Sequence, residues 1–169
     1  MATQLSLIRA AQAIGVTGAI WLSGNISAAS MQGVPAVKDI NGKKDLSVPA
    51  LASVWRGIYE RGKTQNPPIA LISASAFSYS AWTLGKSVRP NGFSLCVSAA
   101  ILTAGIVPWT LIMMLGTNNQ LIAKAAGSPS TTSSQELDEL LSRWTSYNNI
   151  RAIFPLIGGV LGLMALASP

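Results

Sequence analysis

Charged side chains are missing from four long stretches of the chain: Ala10–Val37, Thr64–Gly85, Pro90–Ala123 and Ala152–Pro169. A helix rising 1.5 Å per residue needs roughly 20 mainly apolar residues to cross the hydrocarbon core of a bilayer. The first three stretches reach that length with room for caps. The fourth reaches it once Tyr147–Arg151 extends the same helix into the interface. The pattern predicts an all-α protein, a four-helix transmembrane bundle. It forms one integral membrane domain over residues 1–169, with spans at roughly 8–31, 67–85, 93–115 and 150–167. The apolar run from Ala10 is longer than the core of a secretory signal, so the first helix is expected to be retained.

Between the spans the periodicity changes. Leu51, Trp55, Ile58 and Tyr59 recur on one face of Val48–Lys63, with Arg56, Glu60 and Lys63 on the other. That pattern predicts a short interfacial helix in the first cytosolic loop. Lys38–Ser47, containing Asn41-Gly42, is expected as a turn before it, and Pro67-Pro68 as the first turn of the second span. Pro108 is expected to kink the third span or free a carbonyl, and Gly116–Asn119 to end it. Ser133-Ser134-Gln135-Glu136 matches a capping box opening the last helix. On that helix Trp144, Asn148 and Arg151 stand at i, i+4 and i+7, one stripe. The first span is rich in Gly, Ala and Ser, which let backbones approach closely in lipid.

Composition sharpens this picture. Only 11% of residues are charged, against about a quarter in a soluble domain. Nine Lys and Arg residues lie between the first two or the last two spans, and only Arg9, Lys86 and Arg89 lie on the other side. The bias predicts cytosolic placement of both longer loops. The net charge of +6 then reflects topology and contact with the lipid bilayer, because no basic stripe interleaved with aromatics marks a nucleic-acid partner.

The residues that are missing restrict the chemistry. With no histidine in the sequence, a His-ligated haem, a zinc or di-iron His cluster and a Ser-His-Asp triad are excluded. No carboxylate lies within the four apolar stretches, and no Gly-rich phosphate loop is present. Neither a metal ion nor an organic cofactor is expected. Cys96, the single cysteine, is expected as a buried, inert thiol.

Polar and aromatic residues gather at the expected cytosolic mouth of the bundle: Trp55, Tyr59 and Arg61, then Asn118 and Asn119, then Arg143, Trp144, Asn148 and Arg151. Taken singly, these residues suit interfacial belts, snorkelling cations and helix caps. Converging on one end of a small-residue bundle, they would form an aromatic-walled pocket with donors for a planar, anionic ligand. Asn25, the strongly polar side chain of the first span, is expected to bond between helices or to line that pocket.

A set of short motifs recurs in a particular order: Ser23-Gly24; Trp55 with Tyr59-Glu60-Arg61-Gly62-Lys63 before Pro67-Pro68; Val107-Pro108-Trp109-Thr110; Thr117-Asn118-Asn119 with Leu121; and Arg143-Trp144 followed by Asn148, Arg151 and Pro155. In this the chain resembles the DUF1772 membrane proteins, which include the fungal anthrone oxygenases of polyketide biosynthesis. The resemblance implies cofactor-free oxidation of an anthrone to an anthraquinone, with a planar aromatic substrate and O2 as partners. It also implies a multi-pass protein of the endoplasmic reticulum or another endomembrane. Arg61, Arg143 or Arg151 would offset phenolate or enolate charge, and Asn118 or Asn119 would bond the substrate oxygens. Trp55 and Trp144 would stack on the tricycle beside Tyr59, Asn25 and Asn148. Glu60 is the carboxylate nearest to the group and the candidate base. The competing reading is a non-catalytic membrane scaffold or accessory subunit, with the polar residues as anchors; a homo-oligomer is open in either case.

Overall fold

A backbone amide in hydrocarbon finds no water, so apolar stretches of this length satisfy their amides within one helix. The computed structural model describes residues 2–43, 46–85, 89–127 and 133–167, and every regular element among them is helical. α1 (Ala2–Ala28) runs through a π-helical turn (Ala29–Gly33) into α2 (Val34–Lys43). α3 (Val48–Leu84) follows, then α4 (Pro90–Ala104) and α5 (Ile106–Trp109). A second π-helical turn (Thr110–Met114) leads into α6 (Leu115–Ala125), and α7 (Ser134–Ala167) ends the fold. Three helical runs, Leu5–Asn41, Pro90–Ala125 and Ser134–Ala167, are long and apolar enough to cross a membrane. α3, at 37 residues, matches them in length but is more polar.

Several boundaries differ from those the sequence suggests. The expected turn at Lys38–Ser47 is largely helix, because α2 runs to Lys43. Asn41 explains this: its buried amide donates to the Ser134 carbonyl at 3.2 Å and to Asp138 Oδ1 at 3.1 Å, which outweighs the Asn-Gly turn preference. Lys44 and Asp45, also part of that turn, and Lys86 lie outside the described residues. The expected interfacial helix and second span are one helix, with Pro67 and Pro68 inside it. The prolines leave the carbonyls of Lys63 and Thr64 without helical donors, but both residues are exposed, so water can serve them. α6 does not stop at Gly116–Asn119; it continues to Ala125, held by Leu121, which is fully buried. Pro108 acts as expected: it cannot donate to Ala104, and α4 ends at that residue.

The contacts sort into two compact units. The first comprises Met1–Gly24, Asn66–Val107 and Ala152–Pro169. Phe77, fully buried, fills the space left by two glycines: a Cβ at Gly15 would lie 2.6 Å, and at Gly162 2.3 Å, from its ring. Ser23 Oγ donates to the Ala152 carbonyl at 2.9 Å. Cys96 is fully buried and accepts from Gln12 Nε2 at 3.7 Å, in keeping with a structural thiol. A groove of about 390 Å³, lined by Ile14, Thr17, Gly18, Ile69, Ile72 and Ser73 among others, carries no ionisable group.

The second unit comprises Asn25–Gln65 and Pro108–Arg151. Its core includes Val37, Leu51, Trp55, Met114, Leu141 and Trp144. At the start of α7 the Ser133 hydroxyl accepts from the Glu136 amide at 3.1 Å, the forward half of the capping box. The Glu136 carboxylate instead pairs with the mostly buried Lys124 at 2.8 Å, because a desolvated ammonium attracts it more strongly than a neutral amide.

Candidate active site

The second unit brings the α7 stripe against two other helical runs. Trp144 is 2% exposed and donates through Nε1 to Asn118 Oδ1 at 3.0 Å; Asn118 is 1% exposed. One turn on, fully buried Asn148 donates through Nδ2 to the Ile26 carbonyl and to Ser30 Oγ, both at 2.8 Å. Its Oδ1 accepts from Arg151 Nη2 at 2.6 Å, and Arg151 Nη1 donates to Thr110 Oγ1 at 3.0 Å. The Arg151 guanidinium is thus held by neutral partners, and its buried Nε has no partner among the described residues. A partly desolvated cation with no carboxylate beside it favours an incoming anion.

Aromatic rings form the other wall. Trp55 stacks on Tyr59 with centroids 5.2 Å apart and planes 12° from parallel. It meets Trp144 edge-on at 5.8 Å and 88°. The Lys63 ammonium lies 5.9 Å from the Tyr59 ring centre. Trp55 and Trp144 are buried, while Tyr59 and Arg151 are half-buried and are the members of the cluster that reach its surface. Trp55 thus touches both other rings, and Tyr59 is the least buried of the three.

Of the residues singled out from sequence, the structure gathers Trp55, Tyr59, Asn118, Trp144, Asn148 and Arg151 into this cluster. Arg61, Asn119 and Arg143 are exposed instead. Glu60 is half-buried and pairs with Lys63 at 3.7 Å, one turn along its own helix. Asn25 is half-buried one residue before Ile26, whose carbonyl takes the Asn148 amide. Ser30 and Thr110 were not among the candidates. Each sits near a proline, Pro35 or Pro108, and that is the one sequence signal that the helix departs from regular geometry there.

Helices long enough to cross a membrane, together with a buried polar and aromatic cluster around one arginine, define an all-helical membrane protein with an internal polar site. The chain belongs to the anthrone oxygenase family, whose model matches residues 55–161, and it is an oxygenase-like enzyme. It is similar to anthrone oxygenase encC of Aspergillus fumigatus, at 36% identity over 165 residues, covering 90% of this chain and 90% of that protein. It is also similar to an anthrone oxygenase of Claviceps purpurea, at 29% identity over 160 residues, covering 92% and 87%. A noranthrone monooxygenase of Aspergillus flavus is 29% identical over 119 residues, covering 69% of this chain and 56% of that protein. No solved structure matches the chain.

Proposed function

We propose that the protein oxidises a hydroxylated anthrone to the anthraquinone with O2, where Tyr59 and Arg151 reach the surface of the cluster. The names of its relatives support the reaction class. The observation that carries the site is Arg151, a guanidinium anchored by Asn148 and Thr110 with no carboxylate partner among the described residues.

The chemistry suits such a site. An anthrone has an acidic ring methylene between two aryl rings, conjugated to a carbonyl. Loss of one methylene proton gives an anion with its charge largely on oxygen, where Arg151 stabilises it. The anion passes an electron to O2, and recombination forms a C–O bond to a peroxide, which takes up a proton. Loss of the second methylene hydrogen as a proton, with O–O cleavage, leaves the new carbonyl and water. One ring CH2 and one O2 become one C=O and one H2O, so no outside reductant enters. The protein's share is to favour the anion, hold it and keep competing acids away. Asn148 fixes the guanidinium, and Asn118 fixes Trp144 behind it.

The test is oxygen uptake and quinone absorbance with purified protein and an emodin-type anthrone, measured against the spontaneous rate. Wild type should exceed that rate. Arg151→Leu should lose about 10²–10³-fold, the usual effect of removing one oxyanion donor. Arg56→Leu, at an exposed position outside the cluster, should keep full activity. A wild-type rate equal to the spontaneous one would overturn the proposal and leave the accessory-subunit reading.

A further inference from the structure

π-helical turns account for well under 1% of residues in globular proteins, and they concentrate at functional sites. Two occur here, on different helical runs, and each delivers a hydroxyl to the same pair of side chains. The first, Ala29–Gly33, precedes Pro35, and the Val34 amide reaches back five residues to the Ala29 carbonyl. Its second residue, Ser30, is 4% exposed and accepts from Asn148. The second turn, Thr110–Met114, follows Pro108, and its first residue, Thr110, accepts from Arg151. The bonds form one chain, Ser30–Asn148–Arg151–Thr110. Every hydroxyl and amide oxygen named in it faces the donor of the next member, and the guanidinium is clamped on both terminal nitrogens.

We propose that Ser30 and Thr110 are positioning residues, and that the two π-turns serve to aim their hydroxyls at Asn148 and Arg151. The extra residue in each turn rotates the side chains relative to a regular helix, so an α-helical backbone would point these hydroxyls elsewhere. Clamped on both terminal nitrogens, the Arg151 guanidinium keeps one orientation, and its charge is fixed in place for a substrate oxyanion. The word substrate here rests on the anthrone reading given above; the clamp itself rests on the bond chain.

Thr110→Val keeps the shape and removes the acceptor, whereas Thr110→Ser keeps the acceptor. Anthrone oxidation by Thr110→Val should fall about tenfold or more, in line with losing a hydrogen bond to a charged group. Thr110→Ser should restore most of it. Ser30→Ala should act in the same direction through Asn148. The decisive arm is the cycle with Arg151→Leu: in that background Thr110→Val should have no further effect, because the clamp has nothing left to hold. Equal losses from Thr110→Val in both backgrounds, or no rescue by Thr110→Ser, would show a merely structural role and overturn the proposal. A second readout separates this from failure of the anthrone reading. A hydroxyanthraquinone bound at the site should show the red-shifted band of its phenolate, and Thr110→Val should weaken that shift. Wild type with neither oxidation nor the shifted band counts against the anthrone site itself. Wild type with both, matched by Thr110→Val, counts against the clamp alone.

Discussion

At the scale of single residues, the indole of Trp144 and the amide of Asn118 illustrate how a buried polar pair sets both stability and site shape. Their bond is 3.0 Å long and sealed from solvent, so neither group can turn to water if the other is removed. Trp144→Phe should therefore destabilise the protein by about 1–3 kcal/mol, the cost of an unsatisfied buried acceptor added to a packing loss. Asn118→Leu in the Trp144→Phe background should recover part of that loss. Denaturant unfolding in detergent, read by fluorescence of the remaining tryptophans, measures both; additive losses would mean the bond contributes little. The same residues show what a sequence reveals. The spacing of Trp144, Asn148 and Arg151 alone puts them on one helical stripe, and the structure keeps them there. Their sequence neighbours Arg143 and Asn119 have equally suitable chemistry, but one residue along a helix is a rotation of about 100°. Arg143 and Asn119 therefore point to the surface while Trp144 and Asn118 are buried. Composition and proximity in sequence cannot separate such neighbours; the phase of the helix does. Ser30 and Thr110 were illegible for a further reason. A hydroxyl in an apolar helix ordinarily bonds back to its own backbone, as Ser80 and Thr83 do here.

Helices as elements were legible from the charge-free stretches, but their ends were not. Turn signals such as Asn41-Gly42 and Pro67-Pro68 are local preferences of about 1 to 3 kcal/mol, and contacts distant in sequence can override them. Small residues pose the same difficulty. A run of Gly and Ser suggests close helix packing, yet the glycines differ. A Cβ at Gly158 would sit 2.6 Å from Thr103 Oγ1 and 3.0 Å from the Ala99 carbonyl oxygen, so α7 and α4 touch there through backbone. Thr103 can rotate away, but the carbonyl cannot. At Gly24 a Cβ would meet nothing within 4 Å. Gly158→Ala should then force the two helices apart and destabilise the first unit by about 1–3 kcal/mol. Gly24→Ala should be neutral or stabilise by up to about 1 kcal/mol, because alanine loses less backbone entropy in a helix. Thermal unfolding of the two variants side by side tests the contrast. Loss of stability at both positions would mean that composition, not close approach, decides.

On the scale of the whole molecule, charge divides between the two units. The first holds only Arg9, Lys86 and Arg89 and no acidic residue; the second holds the other nine basic residues and all six acidic ones. A nearly charge-free unit of helices suits the hydrocarbon region, where each exposed charge costs several kcal/mol. The excess of Lys and Arg between the first two and the last two spans favours cytosolic placement of those loops. The second unit also contains Trp55, Tyr59 and Arg151. We predict four crossings, with residues 128–132 cytosolic and both ends of this chain on the opposite side. A protease site inserted between Gly127 and Ser133 should be cut by protease added to sealed microsomes, while a tag after Pro169 should be protected until detergent is added. Protection of the inserted site with cleavage of the tag would invert the orientation and place the arginine cluster on the lumenal side. Cleavage at both would mean that α7, which joins the two sites, does not cross the membrane. Either result would overturn the predicted topology.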